Sequence, residues 1–233
     1  MIGKRFWILS VLVAVVWGGG VYVDDATAGV VPISTCMEIN TSDSYELTQN
    51  LVHNGTTPPD GCLVVNVNNV TIDLKGFTIS GQNEDSGIFS GANQLVVRNG
   101  TVRRFDFGVN TGGSNGRVEG ITAVTNEGDG IRAGNDSIVT NSIGSGNSGQ
   151  GIVCVQCIVS NNVANFNNGD GFELGFSNIF NNTAVGNQGD GFQVDCPSIL
   201  VGNFAFGNGV TSGVNLNSTN VSAPCKRSGD NLF

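Results

Sequence analysis

Asn126-Glu-Gly-Asp-Gly-Ile131, Asn167-Asn-Gly-Asp-Gly-Phe172 and Asn187-Gln-Gly-Asp-Gly-Phe192 are three copies of one phrase within residues 126–194. A fourth copy, Asn147-Ser-Gly-Gln-Gly-Ile152, carries Gln150 where the others carry Asp. The leading asparagines lie 21, 20 and 20 residues apart. Self-similarity at a fixed period decides architecture before any local propensity does. A twenty-residue unit rich in Gly and Asn cannot bury its short β-branched runs alone, so it must stack on copies of itself.

Cutting the chain before each Gly-(Ile/Val/Phe) gives coils 62–86, 87–107, 108–129, 130–150, 151–170, 171–190 and 191–211. Aligned, they form columns. Asn126, Asn147, Asn167 and Asn187 make one column, and Asn141, Asn161 and Asn181 make another. Ile88, Val109, Ile131, Ile152, Phe172 and Phe192 make the apolar column after the glycine. Stacked coils are spaced like neighbouring strands, about 4.8 Å apart. Identical amides at that spacing hydrogen-bond up the stack, and Asn and Gly also serve left-handed corners. Runs such as Phe172-Glu-Leu174, Asn178-Ile-Phe180 and Thr183-Ala-Val185 predict three short strands per coil. No segment sustains a helical period with caps, so no helix is expected beyond the signal and, at most, the cap, and the fold expected is all-β.

Outside the repeat the chain divides into 1–28, 29–61 and 212–233. Residues 1–28 read as an export signal. Lys4 and Arg5 precede an apolar run from Phe6 to Val16, and Ala26-Thr27-Ala28 is a small-x-small cleavage site. Residues 29–61 lack the repeat and read as a cap over the open end of the stack. His53, the single histidine, falls there without sequence neighbours that explain it. Residues 212–233 read as a C-terminal tail.

The net charge of −9 leaves no basic stripe for phosphates, which argues against nucleic acid as a partner. Six cysteines follow the signal, and an even count in an exported chain favours disulfides. Fifteen pairings are open. The set expected is Cys36–Cys62 at the entry, Cys154–Cys157 as a local bridge, and Cys196–Cys225 at the tail.

Val70-Thr-Ile-Asp-Leu-Lys-Gly-Phe-Thr-Ile79, Val97-Arg-Asn-Gly-Thr-Val102 and the coil frames resemble right-handed parallel β-helix proteins of the pectate-lyase-like superfamily, in its short-coil branch. The resemblance covers roughly residues 36–211. It implies a single-stranded right-handed parallel β-helix of about seven coils, each of 20–22 residues. It does not imply an activity, because members range from lyases and epimerases to surface proteins. The Asp-Pro-His-Asp signature of the alginate epimerases is absent, as are the His-Gly and Arg-Ile-Lys signatures of the polygalacturonases. Arg98, Arg103 and Arg104 lack the neighbouring carboxylates of a pectate-lyase calcium site and read as surface residues.

The residue after the inward apolar column should face out. That puts Phe89, Asn110, Arg132, Val153, Glu173 and Gln193 in an external row, with Gly134, Val155, Gly175 and Asp195 two residues on. In the resembled fold a polysaccharide lies along this face. Glu173 and Asp195 are the candidate catalytic pair, about 7–8 Å apart between Cα atoms by strand geometry. Asn110, Arg132 and Gln193 are candidate substrate contacts, with Arg132 placed to neutralise a uronate. Asp170 and Asp190 stack one coil apart. They either cap their own turns, hold a cation such as Ca²⁺, or take part in catalysis. The leading expectation is an exported carbohydrate-binding or cell-surface protein, secreted or periplasmic, without a membrane span once the signal is removed. A small polysaccharide lyase or hydrolase using the outward carboxylates is the alternative, and coils this short leave little loop for walling an active site. End-to-end association of the stacks is a third possibility.

Overall fold

The computed structural model describes residues 29–209 except Thr57, together with the backbone of 226–227. Among the described residues every strand pairing is parallel and no helix occurs. About seven coils stack into a parallel β-helix with three faces.

The first face is an eight-stranded sheet built from one strand per coil. It runs from Met37–Ile39 and Gly61–Val65 to Ile152–Val155, Phe172–Gly175 and Phe192–Asp195. The second face includes Ser44–Leu47, Thr71–Asp73, Ile138–Thr140, Ile158–Ser160, Asn178–Phe180 and Ile199–Val201. The third includes Leu51–Val52, Thr78–Ser80, Ile143–Ser145, Val163–Asn165, Thr183–Val185 and Phe204–Phe206. In two coils the second and third faces run together as single strands, Val96–Arg103 and Arg117–Val124. Each turns its corner at one left-handed residue, Asn99 at φ 60° and Gly120 at φ 61°, so the pairing continues through the bend.

The apolar columns fill the interior as their period requires. Ile88, Val109, Ile131, Ile152, Phe172 and Phe192 stand in register and fully buried. The rings of Phe172 and Phe192 stack at 4.7 Å and 3°. Across the interior the third-face column shrinks from Leu51, Ile79 and Val102 to Ala123, Gly144, Ala164, Ala184 and Ala205. Large residues on one face are thus matched by small ones opposite, which keeps the cross-section filled without overpacking.

Two asparagine columns run through the buried corners, and one differs from the expected column. Asn126, Asn147, Asn167, Asn187 and Asn208 form a continuous ladder, each Nδ2 donating to the next Oδ1 at 2.8–3.0 Å. The second ladder is Asn162, Asn182 and Asn203, not Asn141, Asn161 and Asn181. The latter three are exposed and left-handed, with φ 53°, 58° and 53°. Adjacent asparagines therefore divide two tasks: one makes the turn, and the next points in to bridge coils.

Residues 29–61 do more than lie across the end of the stack. Met37–Ile39, Ser44–Leu47 and Leu51–Val52 pair with the next coil on the first, second and third faces respectively. His53 is not isolated. It is buried at 2% exposure, its Nε2 lies 3.1 Å from Asp85 Oδ2, and its ring stacks on Phe105. Gly81 leaves room beside the Phe105 ring, which a Cβ there would meet at 2.5 Å. Sequence spacing could not show this contact, because the partner is 32 residues away in a longer, irregular coil.

Cys36–Cys62 and Cys154–Cys157 are bonded. Cys196 is disulfide-bonded too, and its expected partner Cys225 lies outside the described residues. Lys226–Arg227 pairs with Ile199–Leu200, which returns the tail to the second face. The export signal expected at 1–28 also lies outside the described residues.

Candidate functional site

Strand alternation sends every second side chain of the first face outward. The register joins Phe89, Asn110, Arg132, Val153, Glu173 and Gln193 one to the next, a single external row along the stack. Val155, Gly175 and Asp195 form the parallel row two residues on.

These rows meet in a shallow depression of about 50 Å³ near the C-terminal end of the face. Val153, Val155, Glu173, Gly175, Gln193 and Asp195 line it. The bare Gly175 creates it: a Cβ there would touch Val155 and Asp195 at 3.6–3.7 Å. The structure thus brings together Glu173, Asp195 and Gln193. Asn110 and Arg132 lie on the same row but three and two coils away from the Glu173 strand.

Arg132 has a partner within the chain. It forks onto Asp129, Nε at 3.0 Å and Nη2 at 2.6 Å, and lies 5.3 Å over the Phe107 ring. A guanidinium held by a carboxylate and an aromatic face is fixed in direction, and part of its charge is already neutralised. That weakens the role of free uronate counter-charge expected for it. The Asp129-x-x-Arg132 spacing is present in the sequence, and the corner geometry is what closes it into an ion pair.

The Asp column faces this surface at the leading corner. The carboxylates of Asp129 and Asp170 accept from the next coil and not from their own turns. Gln150 N–H donates to Asp129 Oδ1 at 2.9 Å, and Asp190 N–H donates to Asp170 Oδ1 at 2.6 Å, so each bridges to the following coil. At a corner, the nearest unsatisfied donor belongs to the coil stacked above, because the stacking distance is shorter than the reach back around the turn. Among the described residues, no group of three or more His, Cys, Asp or Glu converges to hold a metal. Asp170 and Asp190 alone offer few of the six to eight oxygens that calcium takes.

The electrostatics set Glu173 apart. Burial raises its carboxyl above the usual range, and Asp129, Asp170 and Asp195 push it further, with Arg132 opposing. Asp170 is also raised by burial, against the Asp190 N–H bond that lowers it. A raised carboxyl within an acidic surface suits proton donation to a leaving oxygen, or a neutral hydrogen bond to a hydroxyl.

No family model matches the chain, and no curated protein matches it. Solved structures do. A pectate lyase, Pel9A, aligns with TM-score 0.65 and 18% identity, over 88% of this chain and 66% of that one. The A-module of the Azotobacter vinelandii mannuronan C-5 epimerase AlgE4 aligns with TM-score 0.54 and 15% identity, over 78% and 64%. A double mutant of the periplasmic alginate epimerase AlgG aligns with TM-score 0.50 and 15% identity, over 86% and 70%. The chain spans about two thirds of the length of these structures. At such identities the likeness is one of fold: a pectate-lyase-like right-handed parallel β-helix.

Proposed function

We propose that this is an exported β-helix protein that binds a polysaccharide strand along its first face. The observation that carries the proposal is the unbroken external row from Phe89 to Gln193, which ends in the depression beside Glu173 and Asp195. Such a row repeats a contact at each coil and so matches a ligand that is itself a linear repeat. Three supports come from elsewhere. The fold neighbours are named for pectate, mannuronan and alginate. The bonded cysteines suit an oxidising compartment. The leader-like segment at 1–28 suits export.

Catalysis by a polysaccharide lyase or hydrolase is the second reading, favoured by one observation: the raised carboxyl of Glu173 beside Asp195. The short coils favour binding without turnover, because little loop is available to close off water.

One screen separates the readings. The mature chain is incubated with neutral and uronate polysaccharides, with and without EDTA, and both retention and chain cleavage are measured. Retention without cleavage is expected. Cleavage abolished in Glu173→Gln establishes the enzyme instead. Failure to retain any polysaccharide overturns the binding proposal.

A further inference from the structure

Phe176 follows the strand that carries Glu173, at the corner where the first face turns into the second. It has two features that cost stability. Its backbone is left-handed, at φ 52°, and half of its surface is exposed, at 50%. Left-handed backbone is unfavourable by roughly 1–2 kcal/mol for a residue with a Cβ, and for a bulky aromatic it is an outlier. The corresponding corner of the preceding coil holds Gln156 at φ 60°, a residue suited to an exposed turn. An aromatic ring in this place has no role in turning the chain. Strain and exposure concentrated at one residue next to a depression point to function.

Phe166 provides the contrast. It too is left-handed, at φ 56°, and 64% exposed. Its ring atoms, however, lie 2.9 Å from where a Gly186 Cβ would stand, so it covers the bare backbone of the next coil on the opposite corner. Packing accounts for Phe166.

Phe176 is tied to the depression through its backbone. Its N–H donates to the Asp195 carbonyl at 3.1 Å, and its neighbour Gly175 forms the floor. The depression that Phe176 directly follows in the chain is acidic, carrying Glu173 and Asp195. The nearby cation, Arg132, already forks onto Asp129. A uronate at this point would meet like charge. A neutral pyranose would not: its C–H face stacks on the negative face of the ring, and its hydroxyls donate to the carboxylates.

We infer that Phe176 is a stacking platform for one uncharged pyranose of the bound polysaccharide, with Glu173 and Asp195 accepting from that sugar's hydroxyls. The inference rests on the polysaccharide-binding proposal above and goes beyond it by naming the sugar class and the residue that selects it. The ligand so defined is a neutral hexopyranose or pentopyranose chain.

Calorimetric titration of the full chain with cellohexaose, mannohexaose and xylohexaose, and with hexagalacturonate and hexamannuronate, tests it. The variants are Phe176→Ala, Phe176→Tyr and Phe166→Ala, each checked for folding by circular dichroism. The result expected is that a neutral hexasaccharide binds and that Phe176→Ala weakens it about tenfold, the factor that ~1.4 kcal/mol represents. Phe176→Tyr should restore affinity, and Phe166→Ala should leave it unchanged. Undiminished affinity in Phe176→Ala overturns the platform while leaving polysaccharide binding intact. Binding confined to the two uronates overturns the sugar class. Absence of binding to any probe, in this titration and in the polysaccharide screen, removes the underlying proposal and this one with it.

Discussion

Asn167→Ala should be among the most damaging single substitutions in the chain. Asn167 is fully buried, and its side chain takes part in four bonds. Its Oδ1 accepts from the Asn147 N–H and Nδ2, both at 3.0 Å. Its Nδ2 donates to the Gly144 carbonyl at 3.0 Å and to Asn187 Oδ1 at 2.8 Å. Truncation leaves the Asn147 N–H and the Gly144 carbonyl without these partners inside a dry corner. A buried polar group left bare costs about 1–3 kcal/mol, so the loss should be about 3–5 kcal/mol, at the severe end for a point mutation. Asn161→Ala is the control: the same residue type in the same coil, but exposed and outside the ladder. It should lose roughly 0.5–1 kcal/mol, the cost of a left-handed residue without a helpful side chain. Urea unfolding followed by circular dichroism, with disulfides intact, measures both. Amide hydrogen exchange then shows whether protection falls first in the coils bracketing Asn167, as nearest-neighbour stacking requires. If Asn167→Ala falls within about 0.5 kcal/mol of Asn161→Ala, the ladder is not what holds the corners, and the reasoning fails.

Three further outcomes are expected. Gly151→Ala should destabilise by about 2–4 kcal/mol, because its Cβ would lie 2.6 Å from the Gly171 carbonyl and 2.8 Å from Ala164 Cβ. Gly112→Ala, whose Cβ would meet only the Ser90 carbonyl at 3.7 Å, should stay within about 0.5 kcal/mol; thermal melts distinguish the two. Glu173 binds its proton more tightly in the folded chain than in the unfolded one, since burial and neighbouring carboxylates raise it. Its charge therefore weakens the fold above the folded pKa, and the penalty is relieved as pH falls through that value. Glu173→Gln should accordingly stabilise at neutral pH, with the gain vanishing below the ordinary glutamate range; urea titrations at both pH values check the sign. Finally, replacing Cys36 and Cys62 by Ser opens a bridge with sequence separation 26. It should cost about 3–4 kcal/mol by loop entropy, read as an earlier loss of protection in the entry coil.

The repeat was legible because stacking turns a sequence period into a spatial neighbour. Residues 20 or 21 apart became adjacent, so the external row from Phe89 to Gln193 and the ladder from Asn126 to Asn187 could be written from spacing alone. Glu173, Gln193 and Asp195 were placed on one surface by the same counting. Spacing failed where coils are irregular or where two neighbours compete for one role. The His53–Asp85 contact depends on coils longer than the repeat. The choice between Asn161 and Asn162 as ladder residue depends on which one turns the corner, a half-turn of backbone that the composition of an Asn-Asn pair does not specify.

By itself, then, the amino-acid sequence determined the all-β stack, its period, and its inward and outward columns. Those follow from strand alternation and a fixed repeat, which are one-dimensional properties. Only the tertiary structure decided that Asp129 holds Arg132, that Asp129 and Asp170 bridge to the next coil instead of capping their own turns, and that Phe176 stands exposed at the corner after Gly175. These depend on which way a side chain leaves a corner. Corner geometry is set by the coils above and below, not by the residues that form it.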